Sequence, residues 1–321
     1  MSHRSAGAVL VILGCALLAS NGVVAAIAMD GGLAPSQVAS VRTLGGALLL
    51  LPFVLRARRR YTRAMLLPIA GYALIGMFAS QGLYFEAIGR MDIALALVIA
   101  YIAPLPVAVY QRIRAGESLP GYAYAAMVAA IAGIGLAVLG GRALGAVTPL
   151  GLVLAFGCMI TFAIMLVLSP RQPRGFDPFA RAGGPLLIAA LAFTVVAPVW
   201  EVPWSRMGDV VVLPGAIAVG VPLWTTVVWV VVIGAALSFA VILAGSIRVG
   251  AGAASMLSMV EPVFGALVAW LLLAQALTPL QGLGIVVAVG AVGVVEHARA
   301  RTIATVEIAD PLAPLADPDP R

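Results

Sequence analysis

Residues 251–273 read AGAASMLSMVEPVFGALVAWLLL, an almost wholly apolar run whose only charged residue is Glu261. A run of about 20 apolar residues is long enough to cross the hydrocarbon core of a bilayer as an α-helix. A charged side chain at that depth costs at least about 2.5–3.5 kcal/mol, so Glu261 must face protein or water. The run therefore predicts a membrane-spanning helix that carries a carboxyl group on an inward face.

The composition of the whole chain agrees with that prediction. Its 321 residues are 63% hydrophobic and 10% charged, whereas soluble domains contain about 25% charged residues. The apolar runs are continuous and do not alternate with period two, which indicates helices rather than the strands of a barrel. The expected fold class is an all-α integral membrane protein.

Turn and breaker signals divide the chain into ten candidate transmembrane helices. They cover residues 7–28, 36–55, 65–86, 92–112, 120–140, 147–169, 183–200, 224–246, 251–273 and 279–297. Residues 302–321 are rich in Pro and Asp, and they are predicted to form a disordered cytoplasmic tail.

The basic residues predict the orientation of these helices. All 19 are arginines, and ten spans with a cytoplasmic N-terminus leave only Arg90, Arg142 and Arg206 in outer loops. Arg42 falls inside a span, and the other arginines lie in cytoplasmic segments. This bias predicts a multi-pass protein of the cell (inner) membrane with both termini in the cytoplasm. It also explains the basic pI of 9.9 without a nucleic-acid partner.

Two constant offsets relate the halves of the chain. An offset of 143 pairs Cys15 with Cys158, and an offset of 158 pairs Pro104 with Pro262. A longer loop around EVPWSRMGDVVVLPG accounts for the difference between the offsets. Residues 7–140 and 147–297 are therefore predicted to be two five-helix repeats. The first span has a counterpart in the second repeat, which favours a retained helix over a cleaved signal peptide.

The odd number of spans in each repeat predicts that the two repeats have opposite orientations in the membrane. Inverted repeats of this kind are typical of secondary transporters, whose substrate site lies near the midplane where helices are interrupted. The paired Pro104 and Pro262 are the predicted helix-break or hinge residues.

Two longer segments carry a family resemblance. The stretches LASNGVVAAIAMDGGLAPSQVASVRTLGGALLLLP and ASMLSMVEPVFGALVAWLLLAQALTPLQGLGIVVAVGAVGV resemble the opening and the last two helices of EamA-type members of the drug/metabolite transporter superfamily. The segments AIGRMDIALALVIAYIAPLPVAV and SMLSMVEP are most similar to the threonine/homoserine exporter branch. The resemblance spans about residues 8 to 297. It implies ten helices in two inverted five-helix repeats and the export of amino acids or small metabolites by secondary coupling.

One position departs from the family pattern. Family members often have Gly-Glu before Leu-Thr in the second repeat, whereas this chain has Ala274-Gln275. The first repeat keeps Gly116-Glu117. Whatever the second glutamate does in relatives is lost or reassigned in this chain.

Polar residues inside the predicted spans are the candidates for a substrate site. Glu261 is either a protonation or substrate-amine site, or a neutral residue that bonds backbone groups freed by Pro262. Arg42 either clamps a substrate carboxylate or anchors its helix at the membrane interface. Asn21 either contacts substrate or joins helices. The other candidate substrate-binding residues are Gln81, Tyr84, Tyr101 and Ser258, while Glu86 is expected to pair with Arg90.

The chain has no HExxH, CxxC, GxSxG or P-loop motif. We therefore expect no catalytic residue, metal site or cofactor, and we interpret Cys15 and Cys158 as packing residues. The prediction is a secondary active transporter, not an enzyme. It would export amino acids or related small metabolites by alternating access, with a proton as the candidate coupling ion. Its partners would be a small-molecule substrate and the lipid bilayer.

Three alternatives remain open. One is a multidrug or other metabolite exporter of the same fold, and another is a non-transporting scaffold or channel. The third is a membrane-embedded lipid-modifying enzyme, which the few acidic residues of the outer loops disfavour.

Overall fold

A bundle of helices makes up the part of the chain that the computed structural model describes. That part comprises residues 3–115, 120–139, 148–168, 178–213, 219–249, 254, 257–258, 260–275 and 277–309. Within it, a single two-stranded antiparallel sheet interrupts the helical pattern.

The described helices of the first half follow the predicted spans closely. They are α1 (His3–Asp30), α2 (Pro35–Ala57), α3 (63–88), α4 (Ile93–Ala100), α5 (Pro104–Ala115) and α6 (Gly121–Leu139). A short 3-10 turn, Arg58–Arg60, joins α2 to α3, and α3 winds as a π-helix over Tyr72–Ala79. A turn at residues 101–103 splits the predicted span 92–112 into α4 and α5. The break falls there because Pro104 is favourable as the first residue of a new helix.

The second half shows the same order of elements with a longer connection. Its helices are α7 (Pro149–Leu168), α8 (Pro178–Val196), α9 (223–249), α10 (Glu261–Leu273) and α11 (Pro279–Ala309). Between α8 and α9 lie the 3-10 turns Val199–Glu201 and Trp204–Arg206 and the strands β1 (Val210–Val212) and β2 (Gly220–Pro222). α9 winds as a π-helix over Trp229–Leu237.

Two boundaries in this half differ from the sequence-based predictions. α8 begins at Pro178 and ends at Val196, whereas the predicted span was 183–200. The end comes earlier because Pro198 disfavours helical backbone in the residue before it. α11 continues to Ala309, into the segment 302–321 predicted to be disordered, because the first proline of that segment is Pro311 and nothing before it stops the helix from extending. Residues 310–321 lie outside the described ranges.

Five helices of the described part are long and apolar enough to cross a membrane. They are Ser5–Asp30, Pro35–Arg60, Arg63–Ile88, Pro149–Leu168 and Phe179–Val196. Shorter apolar helices occupy Ile93–Val107, Gly121–Ala137, Leu223–Leu237, Glu261–Leu273 and Pro279–Val295. Together these ten segments correspond to the ten spans predicted from the sequence.

The helices of the two halves pack in a matching pattern. α1 packs on α9 and α10, and α7 packs correspondingly on α3 and α4. α2 packs on α8, and α6 packs on α11. Each of these helices therefore packs on the helix that occupies the same place in the other repeat. The offset of 158 relates residues 72–79 to 230–237, which places the two π-wound segments at matching positions. The repeat found in the sequence is therefore also a repeat of packing.

α4 is the most deeply buried helix among those described. All eight of its residues, IALALVIA, are buried, as expected for a helix that is apolar on every side. In contrast, peripheral helices expose large apolar residues such as Leu67 and Val195. α4 is therefore central, and the residues at its end are well placed to form an interior site.

Ala274 ends α10 with a φ of 56°, in the left-handed region that favours glycine. This conformation costs a non-glycine residue about 1–2 kcal/mol. A glycine at this position would avoid that cost, but it would lose more conformational entropy on folding than alanine does. Ala274→Gly is therefore expected to raise the free energy of unfolding by about 0.5–1 kcal/mol. Thermal unfolding in detergent measures this change. Ala266→Gly, inside α10, is the matched control and should destabilise the protein by a similar amount. A lower melting temperature for Ala274→Gly would contradict the prediction.

Candidate functional site

Glu261 and Tyr101 form a contact between the two halves in the protein interior. Glu261 is the first residue of α10, and only 5% of its surface is exposed. The Tyr101 hydroxyl donates a hydrogen bond to a Glu261 carboxyl oxygen. Tyr101 lies in the turn between α4 and α5, so the bond joins the helix interruption of the first half to that of the second.

Arg42 lies on the inward face of α2, with 5% of its surface exposed. Its Nη1 donates a hydrogen bond to Gln81 Oε1 of α3 at 3.0 Å, and its Nη2 donates to the Gly234 carbonyl of α9 at 3.1 Å. The guanidinium carbon lies 6.0 Å from the centre of the Phe85 ring. The side chain thus turns inward to these acceptors, which does not match an interface anchor.

The charges of Arg42 and Glu261 interact across this interior. The Arg42 guanidinium and the Glu261 carboxyl group interact electrostatically, and Tyr84 interacts with both. Opposite charges attract far more strongly in a protein interior than in water. This interaction adds to the hydrogen bonds that each group makes, those of Arg42 with Gln81 and the Gly234 carbonyl and that of Glu261 with Tyr101.

Asn21 of α1 belongs to the same group of residues. Its side chain lies against Gly234, and a Cβ built on Gly234 would collide with Asn21 Oδ1. Among the described residues, the buried side-chain atoms without a hydrogen-bond partner are Asn21 Oδ1, Ser40 Oγ and Arg42 Nε. Buried polar atoms are normally bonded, so the unpaired atoms of Asn21 and Arg42 offer positions for the polar groups of a ligand.

Two serine–cysteine contacts flank this group. Cys15 Sγ donates to Ser258 Oγ at 3.6 Å, and Ser80 Oγ lies 3.7 Å from Cys158 Sγ. Both cysteines are free and buried, which agrees with their interpretation as packing residues. The contacts also place Ser258 beside α1, one turn before Glu261.

The two predicted hinge prolines begin helices. Pro104 is the first residue of α5, and Pro262 is the second residue of α10. Proline costs no helical hydrogen bond at the start of a helix, so each proline follows an interruption rather than bending a continuous helix. The Glu261 carboxyl group bonds Tyr101, which differs from the local backbone contact considered for it. A small apolar pocket beside these interruptions is lined by Val98, Tyr101, Pro262, Ala288, Val289 and Val292.

The structure therefore brings together most of the predicted site residues. Arg42 and Gln81 are directly bonded, Tyr101 and Glu261 are directly bonded, and the charges of Arg42 and Glu261 link the two pairs. Tyr84, Asn21 and Ser258 lie at the edges of this group, which we call the central polar cluster. It consists of Asn21, Arg42, Gln81, Tyr84, Tyr101, Ser258 and Glu261.

Sequence reasoning missed two contributors to this region. The Gly234 carbonyl accepts hydrogen bonds from both Arg42 and the Ser238 hydroxyl. Trp229 donates from Nε1 to Ser20 Oγ at 3.1 Å, which joins α9 to α1. A signal for Gly234 was available, because it pairs with Gly76 at the offset of 158.

Two further polar contacts lie away from the cluster. Arg90 and Glu86 form the expected ion pair at the end of α3. At the position that departs from the family pattern, Gln275 Oε1 accepts a hydrogen bond from the backbone N–H of Ile93 at 3.4 Å. Gln275 therefore connects the end of α10 to the start of α4. Gly116-Glu117 in the first repeat lies outside the described residues.

The close approach of Asn21 to Gly234 makes a testable prediction. Gly234→Ala is expected to lower the free energy of unfolding by about 1–3 kcal/mol, because the added methyl group must displace Asn21. Gly293→Ala, in α11, is the matched control: its Cβ meets nothing within 4 Å. The control should stabilise its helix by about 0.5–1 kcal/mol. Thermal unfolding in detergent measures both changes. Equal shifts in melting temperature for Gly234→Ala and Gly293→Ala would contradict a tight contact between Asn21 and Gly234.

Comparisons with known proteins agree with this architecture. The model of the EamA-like transporter family matches residues 5–139 and 149–296, which correspond to the two halves of the bundle. A solved structure titled "Crystal structure of protein" is similar to the chain with a TM-score of 0.59 and 19% sequence identity. The alignment covers 94% of this chain and 99% of that one, and at this identity it shows a shared fold alone. No curated protein matches the chain.

Proposed function

This chain belongs to the EamA-like transporter family, and from that premise we propose that it is a secondary active exporter of amino acids or related small metabolites. Membership makes the chain a membrane transporter of the drug/metabolite transporter superfamily. It confirms the resemblance to EamA-type transporters and the expected all-α membrane fold, while the similarity to the threonine/homoserine exporter branch stays a prediction. Substrate class, direction and coupling are parts of the proposal.

The observation that carries the proposal is the pair of opposite charges in the central polar cluster. Arg42 of α2 and Glu261 of α10 are both buried, and their side chains interact electrostatically. An amino acid carries a carboxylate and an ammonium group on one carbon atom. The guanidinium of Arg42, whose Nε has no hydrogen-bond partner among the described residues, would bind the carboxylate, since arginine matches carboxylate geometry well. Glu261 and the Tyr101 hydroxyl would bind the ammonium group.

Glu261 is also the proposed site of proton coupling. A carboxylate that binds the substrate ammonium cannot at the same time hold a proton on the same oxygen atoms. Proton and substrate would therefore compete for Glu261, which is the relation that exchange of one for the other requires. The proposed cycle alternates access to this site, with the interruptions before Pro104 and Pro262 as hinges and the two repeats in inverted orientation.

The proposal includes a position and an orientation in the cell. The arginine distribution favours the inner membrane with both termini in the cytoplasm. Fusions of alkaline phosphatase and of green fluorescent protein after residues 62, 147 and 309 test this orientation. The phosphatase should be active only after residue 147, and activity after residue 62 would contradict the proposed orientation.

Counterflow in proteoliposomes tests the proposed substrate class. Vesicles loaded with an unlabelled amino acid should take up the same labelled amino acid transiently and saturably. Amino-acid amides, which lack the carboxylate, and 2-hydroxy acids, which lack the ammonium group, should compete poorly. Empty vesicles and vesicles with Arg42→Met protein are the controls.

Two outcomes of the counterflow assay would overturn the proposal. Saturable exchange of drug-like cations without amino-acid exchange would indicate a multidrug exporter of the same fold. Equal competition by amides and by intact amino acids would exclude a role of the substrate carboxylate, and with it the role proposed for Arg42.

A further inference from the structure

The connection between α8 and α9 presents an exposed apolar surface. Trp200, Val210 and Val212 expose 69%, 62% and 67% of their surfaces, and Trp204 and Trp224 are also exposed. We call these five residues the hairpin patch. Three of them are tryptophans, which are enriched where membranes meet water.

The hairpin patch is the outer face of an ordered element. Val210 pairs with Pro222 and Val212 with Gly220 on one face of the hairpin, while Val211 and Val221 pair between them and pack against the core. The Trp204 indole donates to the Val199 carbonyl at 2.7 Å, which satisfies its only polar atom.

The other side of this connection is attached to the α1–α2 turn. Val211 lies against Gly31, and the Arg206 guanidinium lies over Gly32, whose φ is 97°. Gln37 Nε2 donates to the Glu201 carbonyl at 3.1 Å. These contacts hold the connection on the bundle, so the exposure of the hairpin patch reflects its position and not a detached loop.

The lengths of the adjoining helices give the depth of the hairpin patch. The apolar part of α8, Phe179–Val196, has 18 residues and spans about 27 Å, close to the hydrocarbon thickness of a bilayer. Its end therefore lies at the edge of the hydrocarbon core. The patch begins four residues later, at Trp200, and β2 leads directly into α9. Exposed Val195 and Val196 of α8 and Val228 of α9 continue the apolar surface toward the membrane.

We propose that the hairpin patch binds lipid in the interfacial region of the bilayer and anchors the α8–α9 connection to the membrane surface. Tryptophan suits this depth because its ring is apolar and its N–H is polar. The unpaired edges of the hairpin find water or headgroup partners there, which they would lack in the hydrocarbon core. Arg206 Nε and Asp209 Oδ2 form an exposed ion pair at 3.1 Å, and the polar headgroup region can accommodate these charges. The anchor acts whatever substrate the transporter carries.

Site-directed spin labels test this location in proteoliposomes. Single cysteines replace Val210 or Val212 in a background in which Cys15 and Cys158 are alanine. Leu191→Cys, exposed more than a turn before the end of α8, is the lipid reference, and Arg59→Cys, in the exposed turn after α2, is the aqueous reference. The ratio of collision rates with oxygen to those with a water-soluble nickel complex should be higher at 210 and 212 than at 59, and lower than at 191.

Two results would overturn the inference. A ratio at 210 and 212 equal to that at 59 would place the hairpin patch in water. Low collision rates with both reagents, together with spin–spin broadening between labels, would instead place a second copy of the chain on the patch.

A measurement with the native cysteines in place covers the case in which the labelled variants fail to fold. Tryptophan fluorescence of the unmodified protein should be quenched by lipids brominated near the headgroup more than by lipids brominated near the chain end. In the double variant Trp200→Phe/Trp204→Phe, the difference between quenching by headgroup-brominated lipids and quenching by chain-end-brominated lipids should be smaller. An unchanged quenching profile in that variant would contradict the proposed depth.

Discussion

Glu261→Gln is expected to remove the response of transport to a pH gradient and to weaken substrate exchange by about ten- to a hundred-fold. The exchange effect follows from losing a charged hydrogen-bonding group, worth about 1.5–3 kcal/mol, at the position proposed for the substrate ammonium. The coupling effect follows because an amide cannot release or bind a proton at neutral pH. Initial rates in proteoliposomes with and without a pH step measure both quantities.

The two roles of Glu261 are separable in this experiment. The KM of counterflow without a gradient reports substrate binding, and the acceleration by a pH step reports coupling. Glu86→Gln is the matched control, because Glu86 is a carboxylate in an ion pair at the end of α3 and lies outside the central polar cluster. If Glu261→Gln transports as well as the unmodified protein across pH, the coupling role is wrong. If only the KM rises, Glu261 binds substrate without coupling.

The helical part of the fold could be predicted from the sequence because it depends on local properties. An apolar run of about 20 residues requires a helix in a bilayer, and the runs of this chain are well separated by turn residues. The break within the span 92–112 was harder to place. Pro104 indicates that a helix is interrupted, but its position as the first residue of α5 depends on the turn at 101–103.

The central polar cluster could be predicted only in part. Glu261 and Arg42 were identifiable because a charge in an apolar span needs a partner. The partners themselves come from distant parts of the chain, since Arg42 bonds a side chain 39 residues away and a carbonyl 192 residues away. The interface-anchor alternative for Arg42 arose for this reason: spacing along one helix does not show which acceptors face it.

The α8–α9 connection illustrates a different limit. The repeat offsets detect its extra length, but they carry no information about its conformation. The hairpin depends on the pairing of β1 with β2 and on the contact of Val211 with Gly31. Isolated hairpins are marginally stable, so this one forms because it packs against the bundle.

Arg42→Met is expected to lower the free energy of unfolding by about 1–3 kcal/mol and to abolish measurable amino-acid exchange. The loss of stability arises because Glu261 and the Gln81 side chain lose a buried partner. The loss of exchange arises because the proposed site for the substrate carboxylate is gone. Thermal unfolding in detergent and counterflow in proteoliposomes measure the two effects.

The double variant Arg42→Met/Glu261→Gln distinguishes a charge pair from two unrelated buried groups. If the charges compensate each other, removing both should recover much of the stability that Arg42→Met alone loses, whereas exchange should remain absent. Arg90→Met is the matched control, because its partly exposed ion pair with Glu86 should contribute only about 0.3–0.5 kcal/mol. Purely additive losses in the double variant would show that Arg42 and Glu261 do not compensate each other. Such a result would also remove the basis for assigning the two ends of an amino acid to these residues.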